Sequence, residues 1–290
     1  SNKKYDFRED TQHIREGDWK VEIDNKVSRH MKRRHVEITG PGNSKPMIIN
    51  AMNSGADGYM LDMEDSMTPS WNNVVNGHQN ISKTVRKTLT AEKYDNNGNV
   101  IKSYKINDNN LPLFFMRARG LHMIEENVTN NNVGIPATIF DIGVHLYNNG
   151  KYLLDNNIGP YIYMPKLESY EDALLVNKII TNSQEILGLP HGSTKLTCLI
   201  ETYPAIYQTN EIIYALKDHI AGLNCGRWDY LFSMIKCLGN EKVLPNRDLL
   251  TMDKPFLEAY VQEIVNSCHK RGIHAMGGMS AFIPTKNKDE

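Results

Sequence analysis

Carboxylates and basic side chains gather where short apolar runs end, so residues far apart in sequence could meet at one mouth. "LDMEDSMTPSW" closes one run with Asp62, Glu64, Asp65 and Ser66, and "MRARGLH" closes another with Arg117, Arg119 and His122. "PKLES" supplies Lys166 and Glu168, "IETYPA" supplies Glu201, and "NCGRWDY" supplies Asp229. Taken singly, each acid reads as a helix cap or a rim ion pair. Five carboxylates converging with an arginine at one barrel mouth read instead as a site for a hard cation held by oxygen. Mg²⁺ takes one or two carboxylates and leaves its other positions to water and substrate oxygens, a role that suits Glu201 and Asp229. Calcium wants more oxygen ligands, and zinc wants histidine or cysteine. His122 reads as a hydrogen-bonded structural residue, and Trp228 and Tyr230 read as packing. Gly222 and Gly226 permit a tight turn or let backbone N–H groups approach a bound carboxylate.

The elements that must position these residues alternate. Strands are expected at 35–40, 58–64, 113–118, 161–166, 196–201, 220–224 and 273–278. Most are continuous apolar runs, the pattern of strands covered on both faces. "SYED" at 169–172 opens a capped helix that runs to Gly188, and Pro255 starts another that stops before Gly272. Alternating strands and helices imply a parallel sheet. Polar residues collected at the C-terminal strand ends, with no GxGxxG after the first strand, favour a TIM-type (β/α)8 barrel over a doubly wound sheet. A polar segment near 93–110 is expected to form a hairpin turning at Asn97-Gly98. Residues 1–30 are expected to form an N-terminal extension and 31–290 the barrel domain.

The chain of 290 residues is 40% hydrophobic and 23% charged, enough for a sizeable core without staples. A net charge of −1 gives no field for nucleic acid or an anionic membrane, so neither is an expected partner. The basic run "RHMKRRH" at 29–35 reads as a solvated face. Four cysteines without CxxC spacing argue against a disulfide framework or a zinc site. No apolar run approaches the length of a membrane span.

"KDHIAGLNCGRWDYLF" (217–232) resembles the signature segment of malate synthases, almost position for position. "MLDMEDSMTPSWNNVVNGHQNI", "FMRARGLH", "YMPKLES", "LIETYPA" and "CHKRGIHAMGGMSAFIP" resemble the same family in the same order. The likeness runs from about residue 15 to about 287 and is nearest the shorter bacterial, plant and fungal form. It implies a barrel enzyme that condenses glyoxylate with acetyl-CoA and hydrolyses the product to malate and CoA, using Mg²⁺. By motif, Glu201 and Asp229 would be the metal ligands and Arg117 the catalytic arginine. Glu64 and Asp65 would lie at the site and orient the metal shell. The stretch Gly226, Arg227, Trp228 and Asp229 would hold the glyoxylate carboxylate, and Ser66 would meet the CoA end.

The family's base is an aspartate in a C-terminal helical domain, and its eighth strand carries a His-Pro motif. Both are expected to lie outside this sequence, so the barrel reads as incomplete at its C-terminus, with two open edges. The 290 residues alone are then expected to be impaired in turnover. Two other readings share some of these residues. A CoA-ester lyase of the same superfamily would carry the "LxxEDS" motif and an arginine, but not the long "GLNxGxWDY" segment. A non-catalytic fragment would bind metal and ligand only. The resemblance implies the cytoplasm or a glyoxysome or peroxisome.

Overall fold

A computed structural model describes residues 5–23, 31, 33–107, 109–239 and 244–278. Its centre is a seven-stranded parallel sheet. The strands are β1 (Glu37–Pro41), β2 (Gly58–Asp62), β5 (Leu113–Arg117), β8 (Tyr161–Met164), β9 (Lys195–Ile200), β10 (Ile220–Cys225) and β11 (His274–Met276), paired in that order. All seven fall where the apolar runs put them, within a few residues. Every residue of β2, β8 and β9 is buried. Two antiparallel hairpins decorate this sheet. One is β3 (Thr90–Tyr94) with β4 (Val100–Lys105), as expected near 93–110. The other, β6 (Ile124–Asn130) with β7 (Val133–Pro136), was not anticipated.

Strand parity shows that the sheet encloses an interior. Tyr59 and Leu61 of β2, Phe114 and Met116 of β5, and Ile162 and Met164 of β8 pack into the large cluster shared with the helices. Their alternates Met60, Phe115, Tyr161 and Tyr163 form a separate cluster with Met31, Leu199 and Ala221. Successive side chains of a strand face opposite ways, so this second cluster is the inside of the curl. Tyr163 of β8 donates its hydroxyl to Glu37 of β1, although two strands stand between them in the sheet. A flat sheet would hold those strands roughly 14 Å apart. This is an α/β fold of TIM-barrel type, and among the described residues β1 and β11 are its two edges.

One reading of the basic run is corrected here. Arg34 is 6% exposed and plugs the interior rather than facing solvent. Its guanidinium donates to Glu37 (2.7 Å), Thr197 (3.0 Å) and Tyr163 (2.8 Å) and lies 4.6 Å from the ring centre of Phe115. Four partners satisfy the charge, which is what lets an arginine stay buried. Arg33 does face solvent, against Asp57 at 3.1 Å. Residues 29, 30 and 32 of the run lie outside the described residues.

The long helices form as their signals require. Ser169 caps Tyr170–Leu187 by accepting from the Asp172 N–H, and the carboxylate of Asp172 reaches back to the Glu168 N–H. Pro255–Arg271 starts with proline, and both helices end at a glycine with positive φ, Gly188 and Gly272. Among the described residues no helix is long and apolar enough to cross a membrane.

Candidate active site

Asp62, Arg117 and Glu201 carry the interior parity of Met60, Phe115 and Leu199 out to the C-terminal end of the sheet. Asp62 and Arg117 are register partners on adjacent strands. The Asp62 carboxylate accepts from Arg117 Nε at 2.7 Å and Nη2 at 2.6 Å, a two-pronged ion pair. It also accepts from the N–H of Glu64 (2.8 Å), the N–H of Ser66 (2.8 Å) and the Ser66 hydroxyl (2.6 Å). Burial alone would raise the Asp62 carboxyl, but the Arg117 fork and charge hold it below the usual carboxylate range. Arg117, 4% exposed, stays charged despite burial because Asp62, Glu64 and Glu201 surround it.

The second cation is Lys166, just past β8, with a left-handed φ of 55°. Such a conformation costs a non-glycine residue about 1–2 kcal/mol, so the surroundings hold it in place. Its N–H donates to Glu201 Oε1 at 2.9 Å. Its ammonium stands 2.8 Å from Asp65, 3.2 Å from Glu64, 3.5 Å from Asp229 and 3.9 Å from Glu201. The four acids follow three different strands, β2, β9 and β10, and meet at one nitrogen. The 3.2 Å contact to Glu64 is poorly aligned, and both Glu64 oxygens are buried without a hydrogen bond. Burial, opposed by Lys166 and Arg117, pushes the Glu64 carboxyl up to about 7. Burial also pushes Glu201 up to about 8, with the neighbouring Asp229 adding to it against the pull of Lys166.

Of the residues expected at the site, Arg117, Glu64, Asp65, Glu201 and Asp229 are brought together. Ser66 joins only through Asp62, which holds its hydroxyl. Gly226 precedes the helix Arg227–Leu238, whose first turn carries Asp229. A Cβ on Gly226 would lie 2.5 Å from Glu201 Cβ and Oε2, so the absent side chain is what lets this loop close on Glu201. Gly226→Ala is therefore expected to displace Glu201 and to cost about 1–3 kcal/mol of stability, the scale of overpacking a closed site. Urea unfolding checks this, and unchanged stability would refute the close approach as the reason for glycine. Arg227 and Trp228 stand with Arg247, the two guanidinium groups lying 4.5 and 4.7 Å from the indole. Tyr230 packs, stacked on Tyr260 with ring centres 4.0 Å apart. His122 has its ring against Gly120 beside Glu64 and Asp65, lining a cleft of about 470 Å³, and not in the hydrogen-bonded role expected of it.

Arg119 fixes the loop after β5. It donates to Asp141 at 2.9 and 3.0 Å and to Glu125 at 2.9 Å, and Asp141 also meets His78 at 3.0 Å. Lys166 and Arg119 stand at strand ends with no role legible in the sequence, and Asp62 with only that of one acid in a cluster. Only their partners, brought by the fold, supply one.

The sequence model for the malate synthase TIM barrel domain matches residues 113–290. The chain belongs to that family. Malate synthase A of Escherichia coli (strain K12) is 44% identical over 286 residues, covering 98% of this chain and 52% of that protein. Malate synthase of Myxococcus xanthus is 45% identical over 284 residues, 97% of this chain and 50% of that protein. Glyoxysomal malate synthase of Candida tropicalis is 45% identical over 261 residues, covering 88% and 46%. The chain thus spans about half the length of the curated relatives it matches.

The malate synthase likeness carries an expectation of Mg²⁺, which the donor set can test. Among the described residues no group of three or more histidine, cysteine, aspartate or glutamate side chains is arranged to hold a metal. Two carboxylates, Glu201 and Asp229, do face one shared cation position. That meets the need of Mg²⁺, which binds through one or two carboxylates and keeps the rest for water and substrate. The unbonded oxygens of Glu64 beside them would be further acceptors for water on such a metal.

Proposed function

We propose that this chain supplies the barrel side of a malate synthase active site, joining the acetyl methyl carbon of acetyl-CoA to the aldehyde carbon of glyoxylate. Water then cleaves the thioester to give malate and CoA. The observation that carries the reading is the Asp62–Arg117 fork standing beside the Glu201–Asp229 pair at one strand-end mouth. Glu201 and Asp229 would hold Mg²⁺, which when bound polarises the glyoxylate aldehyde and fixes its orientation.

The chain's own residues do the rest of the positioning. Nε and Nη2 of Arg117 are committed to Asp62, while Nη1 is 3.8 Å from Glu64 and keeps hydrogens for a substrate oxygen. A guanidinium held in that way meets the negative charge that develops on the acetyl carbonyl oxygen as the methyl proton leaves. Asp62 cannot be the proton acceptor, because Arg117 and Ser66 occupy both its oxygens. Glu201 and Asp229 are assigned to the metal. None of these three carboxylates is therefore the proton acceptor. The loop Gly226–Asp229 receives the glyoxylate carboxylate, and the reaction belongs to a cytoplasmic or glyoxysomal setting.

Calorimetric titration of glyoxylate with and without Mg²⁺ tests this. Heat of binding is expected only with Mg²⁺, and Glu201→Gln should weaken Mg²⁺ by about tenfold or more, or 1.4 kcal/mol. Glyoxylate binding without metal, or unaltered metal affinity in that variant, would refute the ligand assignment.

A further inference from the structure

We infer that Lys166 is a built-in counter-ion of the acidic mouth, which the entering divalent cation must displace, so that this side chain sets the affinity of the metal site. The inference rests on the metal role proposed for Glu201 and Asp229. Among the described residues five carboxylates, the buried Asp62, Glu64 and Glu201, the half-buried Asp229 and the exposed Asp65, face two cations there, Arg117 and Lys166. Arg117 is immobilised by Asp62 through two hydrogen bonds. The charge that can move is on Lys166, at the end of a flexible four-carbon stem.

The distances divide the four acids into two pairs. Lys166 Nζ stands nearer to Asp65 (2.8 Å) and Glu64 (3.2 Å) than to Asp229 (3.5 Å) and Glu201 (3.9 Å). Both Asp65 oxygens accept from it, at 2.8 and 3.1 Å, whereas it makes no hydrogen bond to Glu201 or Asp229 through Nζ. A small withdrawal toward Asp65, whose side chain is 44% exposed, keeps that ion pair and vacates the space between Glu201 and Asp229. The backbone need not follow, because the Lys166 N–H holds Glu201 Oε1 at 2.9 Å independently of the ammonium. Glu64 and Asp65 thus serve as the lysine's harbour, and Glu201 and Asp229 as the metal's seat. Before metal arrives, the ammonium offsets the mutual repulsion of four carboxylates held within one ion-pair radius.

The test compares Lys166→Met and Lys166→Arg with the unaltered full chain by Mn²⁺ titration, read by electron paramagnetic resonance, alongside thermal melting. Lys166→Met keeps the stem and removes the charge. It is expected to tighten Mn²⁺ about tenfold, lower the metal-free melting temperature and enlarge the stabilisation that Mn²⁺ confers. Lys166→Arg keeps the charge and should bind Mn²⁺ no more tightly than the unaltered chain. Equal or weaker Mn²⁺ binding by Lys166→Met overturns the inference, and so does tighter binding by Lys166→Arg should the methionine variant fail to fold. Glu201→Gln in the same series separates the two levels. If it binds Mn²⁺ as the unaltered chain does, the metal assignment fails. If it binds weakly while Lys166→Met is unchanged, only the counter-ion role fails.

Discussion

Arg117→Lys in the full-length chain is expected to lower kcat for malate formation by roughly a hundred- to a thousandfold, the scale of losing one preorganised donor at a developing oxyanion. Charge is conserved, yet the geometry is not. The guanidinium gives Nε and Nη2 to Asp62 and still presents Nη1. An ammonium has no fixed fork, so it cannot grip both Asp62 oxygens and keep an aimed donor for substrate. The loss should fall on kcat, with the KM for glyoxylate and the affinity for Mn²⁺ little changed, because Glu201 and Asp229 remain. Steady-state kinetics beside a metal titration separates these quantities. Turnover equal to that of the unaltered chain would remove Arg117 from the chemistry.

Asp62→Ala is expected to have the largest effect on stability, about 3–5 kcal/mol, the cost of breaking a buried ion pair from one side. Asp62 is wholly buried and accepts five hydrogen bonds, two from a guanidinium that is 4% exposed. Removing it strands a charge in the interior and frees the loop that carries Glu64, Asp65 and Ser66. Since domains are stable by only about 5–15 kcal/mol, this is a large share of the total. Urea unfolding measures it. A loss under about 1 kcal/mol would mean that water reaches Arg117 and that the pair is not buried in solution. Asp62→Asn should fall between, since an amide keeps one acceptor for the backbone but opposes Arg117 with an N–H pair.

The sheet was legible because a strand covered on both faces must be apolar throughout, and "GYMLD" and "KLTCLI" are nearly so. The hairpin β6–β7 was not, because "IEENVTN" is mostly polar and exposed and its single buried acid, Glu125, turns inward only to meet Arg119. Its turn was nevertheless written in the sequence. Asn131 and Asn132 both take positive φ, 50° and 62°, as asparagine does readily in a tight turn. Arg34 was misread because charge in a basic run says nothing of its partners, and Glu37, Thr197 and Tyr163 are supplied by three strands. Arg117, Glu201 and Asp229 could be placed at strand ends by residue type. That Asp62 locks Arg117 and that Lys166 sits among four acids are facts of assembly, which no local pattern encodes.

Asp62 and Arg117 also lie directly across from each other between β2 and β5, in a run of five aligned partners that begins at Gly58 and Leu113. Parallel strands with apolar residues at every position have little in their side chains to forbid sliding by one residue. Here a slip would carry the carboxylate one place along and turn it to the opposite face from the guanidinium, leaving two opposite charges buried apart. The ion pair that aims the arginine thus doubles as an alignment pin for the first half of the sheet, and a chain with the pin removed should assemble with errors even where it still assembles.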